Sequence, residues 1–112
     1  MKKKIIIKES SIFDNVIKNG KLLKNRYYNI FYLDNCVDQP MFGFAVGKKI
    51  GNAVTRNKNK RQIKAIVDNN ISLFSKPCYY IIMLKKEINE ISFKEKQDFL
   101  ISLMSKGENN EK

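Results

Sequence analysis

Residues 39–67 contain seven cations and no carboxylate. The cations are Lys48, Lys49, Arg56, Lys58, Lys60, Arg61 and Lys64, interleaved with the amides of Asn52 and Asn57. Such a set can neutralise charge and donate hydrogen bonds to phosphate oxygens. Positive charge held on regular structure is what a structured phosphate backbone requires, and a carboxylate in the same stretch would repel it. Groups for acid–base work are scarce. The chain has no histidine, which removes the usual base near neutral pH and the commonest zinc ligand. It has no C-x-x-C pair, and its eleven acids avoid the cationic stretch. We therefore predict no catalytic residue and no metal ligand. The predicted activity is the binding of a folded RNA.

The remaining composition narrows the partner. A formal net charge of +11 on 112 residues argues for an acidic partner. No apolar run approaches the roughly 18 residues of a spanning helix, and Ile5-Ile6-Ile7 is too short for a signal-peptide core of about 7–15 residues. A cytoplasmic protein without a membrane partner is expected. Cys36 and Cys78 are the only cysteines and are expected to be reduced, acting as small hydrophobes. One domain over residues 1–112 is expected, with a basic arm at 1–8 and a frayed tail at 107–112.

The elements that must hold the cations follow from periodicity. Residues 10–19 read as a short helix with Ser11 as N-cap, Asp14 as its capping acid, and Phe13, Val16 and Ile17 on one face. Residues 26–33 read as an aromatic strand. Its alternation puts Tyr27, Asn29, Phe31 and Leu33 on one side and Tyr28, Ile30 and Tyr32 on the other, both of them aromatic. Residues 42–47 read as a second strand whose small side chains leave room for something to lie close to the sheet. A glycine-punctuated loop over 47–52 leads into a helix over about 54–74. On it Ile63, Ile66 and Val67 share one side, while Lys60, Lys64, Asn57 and Arg61 share another, with Arg56 near the border. Residues 78–84 are an apolar run, hence a central strand buried on both faces. A polar loop over 85–90 precedes Ser92-Phe93-Lys94-Glu95, a capping box opening a last helix that turns Phe93, Phe99, Leu100, Leu103 and Met104 inward. The order predicts an α/β or α+β two-layer sandwich with helices on a small sheet.

The segment Phe42-Gly43-Phe44-Ala45-Val46-Gly47-Lys48-Lys49-Ile50-Gly51-Asn52-Ala53-Val54-Thr55-Arg56-Asn57-Lys58-Asn59-Lys60-Arg61 closely resembles the signature of the bacterial ribonuclease P protein subunit. There a strand reading F-G-x-x-V-x-K-K precedes G-N-A-V-x-R-N-R-x-K-R. The resemblance extends more loosely over residues 8–104. It implies a small mixed sheet with a left-handed β-α-β crossover, where pattern alone would suggest the common right-handed one. It implies a protein that assists a catalytic RNA in removing the 5′ leader of precursor tRNA, with Mg2+ held mainly by that RNA and none bound tightly by the protein alone. It assigns the catalytic-RNA contact to Lys48, Lys49, Asn52, Arg56, Asn57, Lys58, Lys60, Arg61 and Lys64. It assigns the leader cleft to Phe13, Ile17, Asn29, Phe31 and Ala45, an aromatic-lined groove on which unpaired bases can stack. Three positions depart from the family pattern. Lys58 replaces an arginine and loses the bidentate fork, Ile17 replaces a second aromatic, and Leu84 stands where many members carry an arginine.

Two other readings share the composition. A ribosomal or chaperone-type RNA-binding protein would look the same by charge. A DNA-binding regulator would need a dimer and a helix-turn-helix partner for the basic helix, and no such preceding helix is legible. The loop over 47–55 fails the G-x-x-x-x-G-K-[ST] spacing of a phosphate loop, which excludes a nucleoside triphosphatase.

Overall fold

A computed structural model describes residues 5–34 and 38–110, with side chains through residue 106. Three helices pack on one four-stranded sheet. In chain order these are α1 (Ser10–Asn19), β1 (Lys21–Lys24), β2 (Tyr28–Asp34), β3 (Met41–Ala45), α2 (Ala53–Asn69), β4 (Cys78–Leu84) and α3 (Phe93–Asn110). Strands lie in the order β1-β2-β4-β3. β2 is antiparallel to both β1 and β4, whereas β3 runs parallel to β4. The basic helix α2 is thus the connection of a β-α-β unit between two neighbouring strands.

The expected α+β sandwich is present, and its two sheet faces are now distinguishable. Tyr28, Ile30 and Tyr32 of β2 face the main core with Phe42, Tyr80, Ile82 and Leu84. Ile63, Ile66 and Val67 of α2 and Leu100, Leu103 and Met104 of α3 close that core from above. Each fully buried aliphatic side chain contributes about 1.5–3 kcal/mol. The other face holds Phe31, Leu33, Ile81 and Tyr79 and is covered by α1 through Val16, Ile12 and Phe13, together with Ile7. β4 is central, and Tyr80, Ile81 and Ile82 are all buried, as a strand covered on both faces requires.

Several expectations need correction. β1 was not foreseen: its Lys-Leu-Leu-Lys sequence does not alternate, and three of its four residues are exposed because it is an edge strand. The aromatic strand accordingly begins at Tyr28. Helix α1 has the expected bounds, but Glu9 is its N-cap and no side chain caps it, so Ser11 and Asp14 have no capping role. Its end is closed by the Gly20 N–H, which donates to the Val16 carbonyl. Helix α2 stops at Asn69, and Ile71–Phe74 forms a separate 3₁₀ turn that drives Phe74 into the core. Lys86–Glu90 is also a 3₁₀ turn, anchored by the buried Ile88. The capping box holds: the Glu95 N–H donates to Ser92 Oγ, and the Ser92 N–H donates to Glu95 Oε1. Phe93 and Phe99, however, are exposed at the margin of α3, where Phe99 packs on Tyr27 at 4.6 Å between ring centroids.

At the ends of the chain, the expected arm is partly structured. Ile6 pairs in parallel with Phe42, and the Ile7 N–H donates to the Phe42 carbonyl at 2.7 Å. The last helix runs on to Asn110, through the stretch expected to fray. Cys78 is buried in the main core; Cys36 lies outside the described residues.

Candidate nucleic-acid interface

The loop before α2 is built to present Lys48 and Lys49. Lys48–Ile50 forms one 3₁₀ turn whose Ile50 is buried, so the two lysines face outward. Gly51 then adopts φ 150°, a conformation side chains rarely adopt, and a Cβ there would also press on Thr55 at 3.0 Å. Asn52 caps α2: its Oδ1 accepts the Thr55 N–H at 3.0 Å. The resemblance assigns Asn52 to the RNA contacts. Its side-chain oxygen is engaged in starting the helix, while the residue itself is exposed.

The cations of α2 fall into two sets. Arg56, Lys60 and Lys64 recur every four residues and line the β3 edge; Lys58 and Arg61 are exposed and, by their spacing, point elsewhere on the helix. Like charges four apart cost a helix about 0.2–0.5 kcal/mol per pair. Here the apolar side of α2 compensates. Among the described residues none of these five cations, nor Lys48 or Lys49, is ion-paired with a carboxylate. Asn57 lies exposed among them.

The Arg56–Lys60–Lys64 row forms one wall of a groove over the β3 edge. One end is lined by Phe44, Val46, Ala53, Arg56, Asn57 and Lys60. The other, about 440 Å³, is lined by Ile6, Ile7, Lys8, Phe13, Phe44, Lys60 and Lys64. Lys64 lies over the Phe44 ring, 6.0 Å from its centroid. The Nε of Arg56 is buried without a hydrogen-bond partner, so its guanidinium is held by packing rather than by a protein acceptor.

Four of the five residues assigned to the leader cleft, Phe13, Asn29, Phe31 and Ala45, share a face. Phe31 pairs with Ile81, which pairs with Gly43; in the adjacent row Asn29 pairs with Met83, which pairs with Ala45. Phe13 descends from α1 onto the first row. Its ring fills the space over Gly43, where a Cβ would stand only 2.5 Å from Phe13 Cζ. The room left by the small β3 residues is therefore taken by the protein's own aromatic. Ile17 is 38% exposed and lines no part of the groove. Asn29 is half-buried, and its Oδ1 has no hydrogen-bond partner. Leu84 is buried in the main core and contributes nothing to this surface.

Sequence reasoning missed Ile6, Ile7, Lys8, Phe44 and Val46, which line the groove. It also missed Leu22 and Lys24, the β1 partners of Phe31 and Asn29. A second omission lies behind α2. Asn59, inside the basic run, is 2% exposed, and Lys96 of α3 is 7% exposed. Lys96 Nζ donates to Asn59 Oδ1 at 3.1 Å and to Gln62 Oε1 at 2.7 Å. Burial, and then nearby Lys58, hold its ammonium below the usual lysine range.

The fold and surface define a class: a small basic α+β protein whose β-α-β helix displays cations and whose sheet edge carries a cation-walled groove. The family profile described as Ribonuclease P matches residues 1–108, and the chain belongs to that family. It is thus the protein subunit of the endoribonuclease ribonuclease P. The ribonuclease P protein component of Mycoplasma capricolum subsp. capricolum is 41% identical over 93% of this chain and 96% of its own length. That of Bacillus velezensis is 36% identical over 95% and 91%. The Staphylococcus aureus RNase P protein has the same fold, with a TM-score of 0.85 at 26% identity over 92% of this chain and 94% of that one. The Thermotoga maritima protein superposes with a TM-score of 0.80 at 26% identity, over 89% and 94%.

Proposed function

We propose that this subunit grips the ribonuclease P RNA with the 48–49 loop and the outer cations of α2. The groove over the β3 edge, together with the α1 face of the sheet, receives the single-stranded leader of precursor tRNA. The observation that carries this reading is the continuity of a cationic helix, free of acid from Ala53 to Val67, with a groove holding Phe13 and Phe44. A folded RNA supplies phosphates to the first, and unpaired nucleotides can stack in the second. Lys48, Lys49, Lys58 and Arg61 serve the RNA contact, whereas Arg56, Lys60 and Lys64 stand where both strands can reach them. Asn29 offers an acceptor that gives up no protein hydrogen bond when it turns to a nucleotide donor. Bond cleavage belongs to the RNA, with Mg2+ held mainly by RNA oxygens: hydrolysis of a phosphodiester calls for charge neutralisation and an activated water. Hard cations take oxygen ligands such as carboxylates, and residues 39–67 carry none.

The test is reconstitution of precursor tRNA cleavage with a cognate catalytic RNA at low magnesium. The protein should raise cleavage, and the Arg56→Ala/Lys60→Ala/Arg61→Ala variant should fold and fail to do so. Full stimulation by that variant would exclude this face. Cleavage that tracks with pure protein in the absence of RNA would refute the division of labour.

A further inference from the structure

Behind the cationic loop runs a chain of side-chain amides with a defined direction. Asn89 Nδ2 donates to the Ile50 carbonyl at 2.6 Å, at the end of the turn that presents Lys48 and Lys49. Asn59 Nδ2 donates to Asn89 Oδ1 and to the Thr55 carbonyl, both at 3.1 Å. Asn59 Oδ1 in turn accepts from Lys96 Nζ at 3.1 Å. An amide can be turned end for end at little cost unless its neighbours forbid it. Here the groups at its ends agree: the carbonyls of Thr55 and Ile50 only accept, and the ammonium of Lys96 only donates. The ammonium of Lys96 has only donors, so Asn59 must face it with oxygen. Its NH₂ then faces Asn89, whose oxygen must accept, leaving the Asn89 NH₂ for Ile50. Lys96 is itself fixed: its N–H donates to the Ser92 carbonyl, and its own carbonyl accepts the Tyr28 hydroxyl at 2.9 Å.

We infer that Lys96 and Asn89 are positioning residues, which set the Lys48–Ile50 turn through the polarity of this relay and so hold its two lysines in register with the cations of α2. A buried amine with no carboxylate partner is otherwise hard to account for. It serves two side-chain oxygens, Asn59 Oδ1 and Gln62 Oε1, which lose their donor when it is removed. Lys96 makes no hydrogen bond to the proposed RNA contacts, so apart from its repulsion with Lys58 it acts on binding through Asn59, Asn89 and the turn. The functional half of this inference rests on the proposed contact between the 48–49 loop and RNA.

The experiment compares Lys96→Met and Asn89→Asp with the parent, using the full chain. Asn89→Asp presents an oxygen to the Ile50 carbonyl and breaks the relay at its other end, so it stands in if Lys96→Met does not fold. In the free protein, amide exchange at Ile50 and Gly51, whose N–H groups bond Gly47 and Lys48, should accelerate at least tenfold. The melting temperature of Lys96→Met should fall, because Asn59 Oδ1 and Gln62 Oε1 lose their donor. A purely structural role would loosen the core amides as much as the turn, whereas the relay loosens Ile50 and Gly51 beyond them. With the catalytic RNA, the salt slope of binding should fall by up to about 1.8, two phosphate contacts at about 0.9 each. That fall should vanish in a Lys48→Ala/Lys49→Ala background, whereas Lys96→Arg should retain most of the parent slope. Unchanged exchange at Ile50 and Gly51 in a folded Lys96→Met protein would overturn the relay. Unchanged RNA affinity in Lys48→Ala/Lys49→Ala would overturn the loop contact, and with it the functional half alone.

Discussion

Replacing Gly43 by alanine tests whether Phe13 belongs to the substrate surface or only to the core. A Cβ at this position would lie 2.5 Å from Cζ and 2.9 Å from Cε2 of Phe13, and 3.0 Å from Cδ1 of Ile81. Carbon atoms rest at about 3.5–4.0 Å, so the ring must withdraw by roughly 1 Å or more. Gly43 is fully hemmed by β4 on one side and α1 above, so the strand yields less easily than the ring. Overpacking of this kind costs about 1–3 kcal/mol. For a domain of this length that is a fall of about 4 °C in melting temperature per kcal/mol. Removing the ring should relieve the clash. Thermal melts of Gly43→Ala, Phe13→Ala and the double variant should therefore show a favourable coupling of about 0.5–3 kcal/mol. The functional counterpart is measured on the holoenzyme, as affinity for precursor tRNA with a long leader against one with a minimal leader. Gly43→Ala should reduce the leader-dependent gain while leaving affinity for the catalytic RNA unchanged. If Gly43→Ala melts with the parent and its effect merely adds to that of Phe13→Ala, the stated packing of Phe13 on β3 is wrong. If the coupling is present and the leader gain is intact, Phe13 is a core residue and the groove does not begin where we place it.

Other outcomes follow from the same geometry. Lys58→Ala/Arg61→Ala should weaken binding of the catalytic RNA and lower the salt slope by up to about 1.8, read by filter binding across a salt series. Lys60→Ala/Lys64→Ala should in addition reduce the leader-dependent gain. Asn52→Ala removes the only side-chain cap seen at the start of α2 and should cost about 0.5–2 kcal/mol in denaturant unfolding. Burial raises the Tyr28 phenol far above its usual value. The unfolded chain releases that proton near pH 10 while the folded one keeps it, so stability held below about pH 10 should decline as pH rises beyond it. Tyr28→Phe should flatten that decline in an alkaline melt series, at a cost near neutral pH of about 0.5–1.5 kcal/mol for the lost bond to Lys96.

What could be seen in the sequence depended on the range of the interaction. The β4 run, the capping box at Ser92 and the apolar side of α2 are set by local pattern, and the structure keeps them. The two aromatic faces of β2 could not be told apart because the deciding partners, α1 and α3, are distant in sequence. The N-terminal residues that wall the groove are joined to β3 by the pairing of Ile6 and Ile7 with Phe42, which no periodicity reveals. Asn59 and Lys96 were legible in principle. At 100° per residue Asn59 falls with Ile63 and Ile66, and Lys96 precedes Leu100 and Leu103 at four and seven residues. Both were passed over because a polar residue in a charged run reads as surface. The capping role of Asn52 was masked by its place inside a binding signature.

The placement of α2 between two hydrogen-bonded neighbours has a bearing on supply. Among the described residues its positive charges are paired with no carboxylate, and their mutual repulsion strains the very connection that joins the edge strand to the middle of the sheet. A polyanion that binds only the native form relieves this, adding about 2.7 kcal/mol when present at a hundredfold excess over its dissociation constant. Orphan copies, lacking that support, are the ones that proteolytic surveillance reaches first. The cellular amount of this polypeptide should then follow the amount of its RNA, without any dedicated regulator.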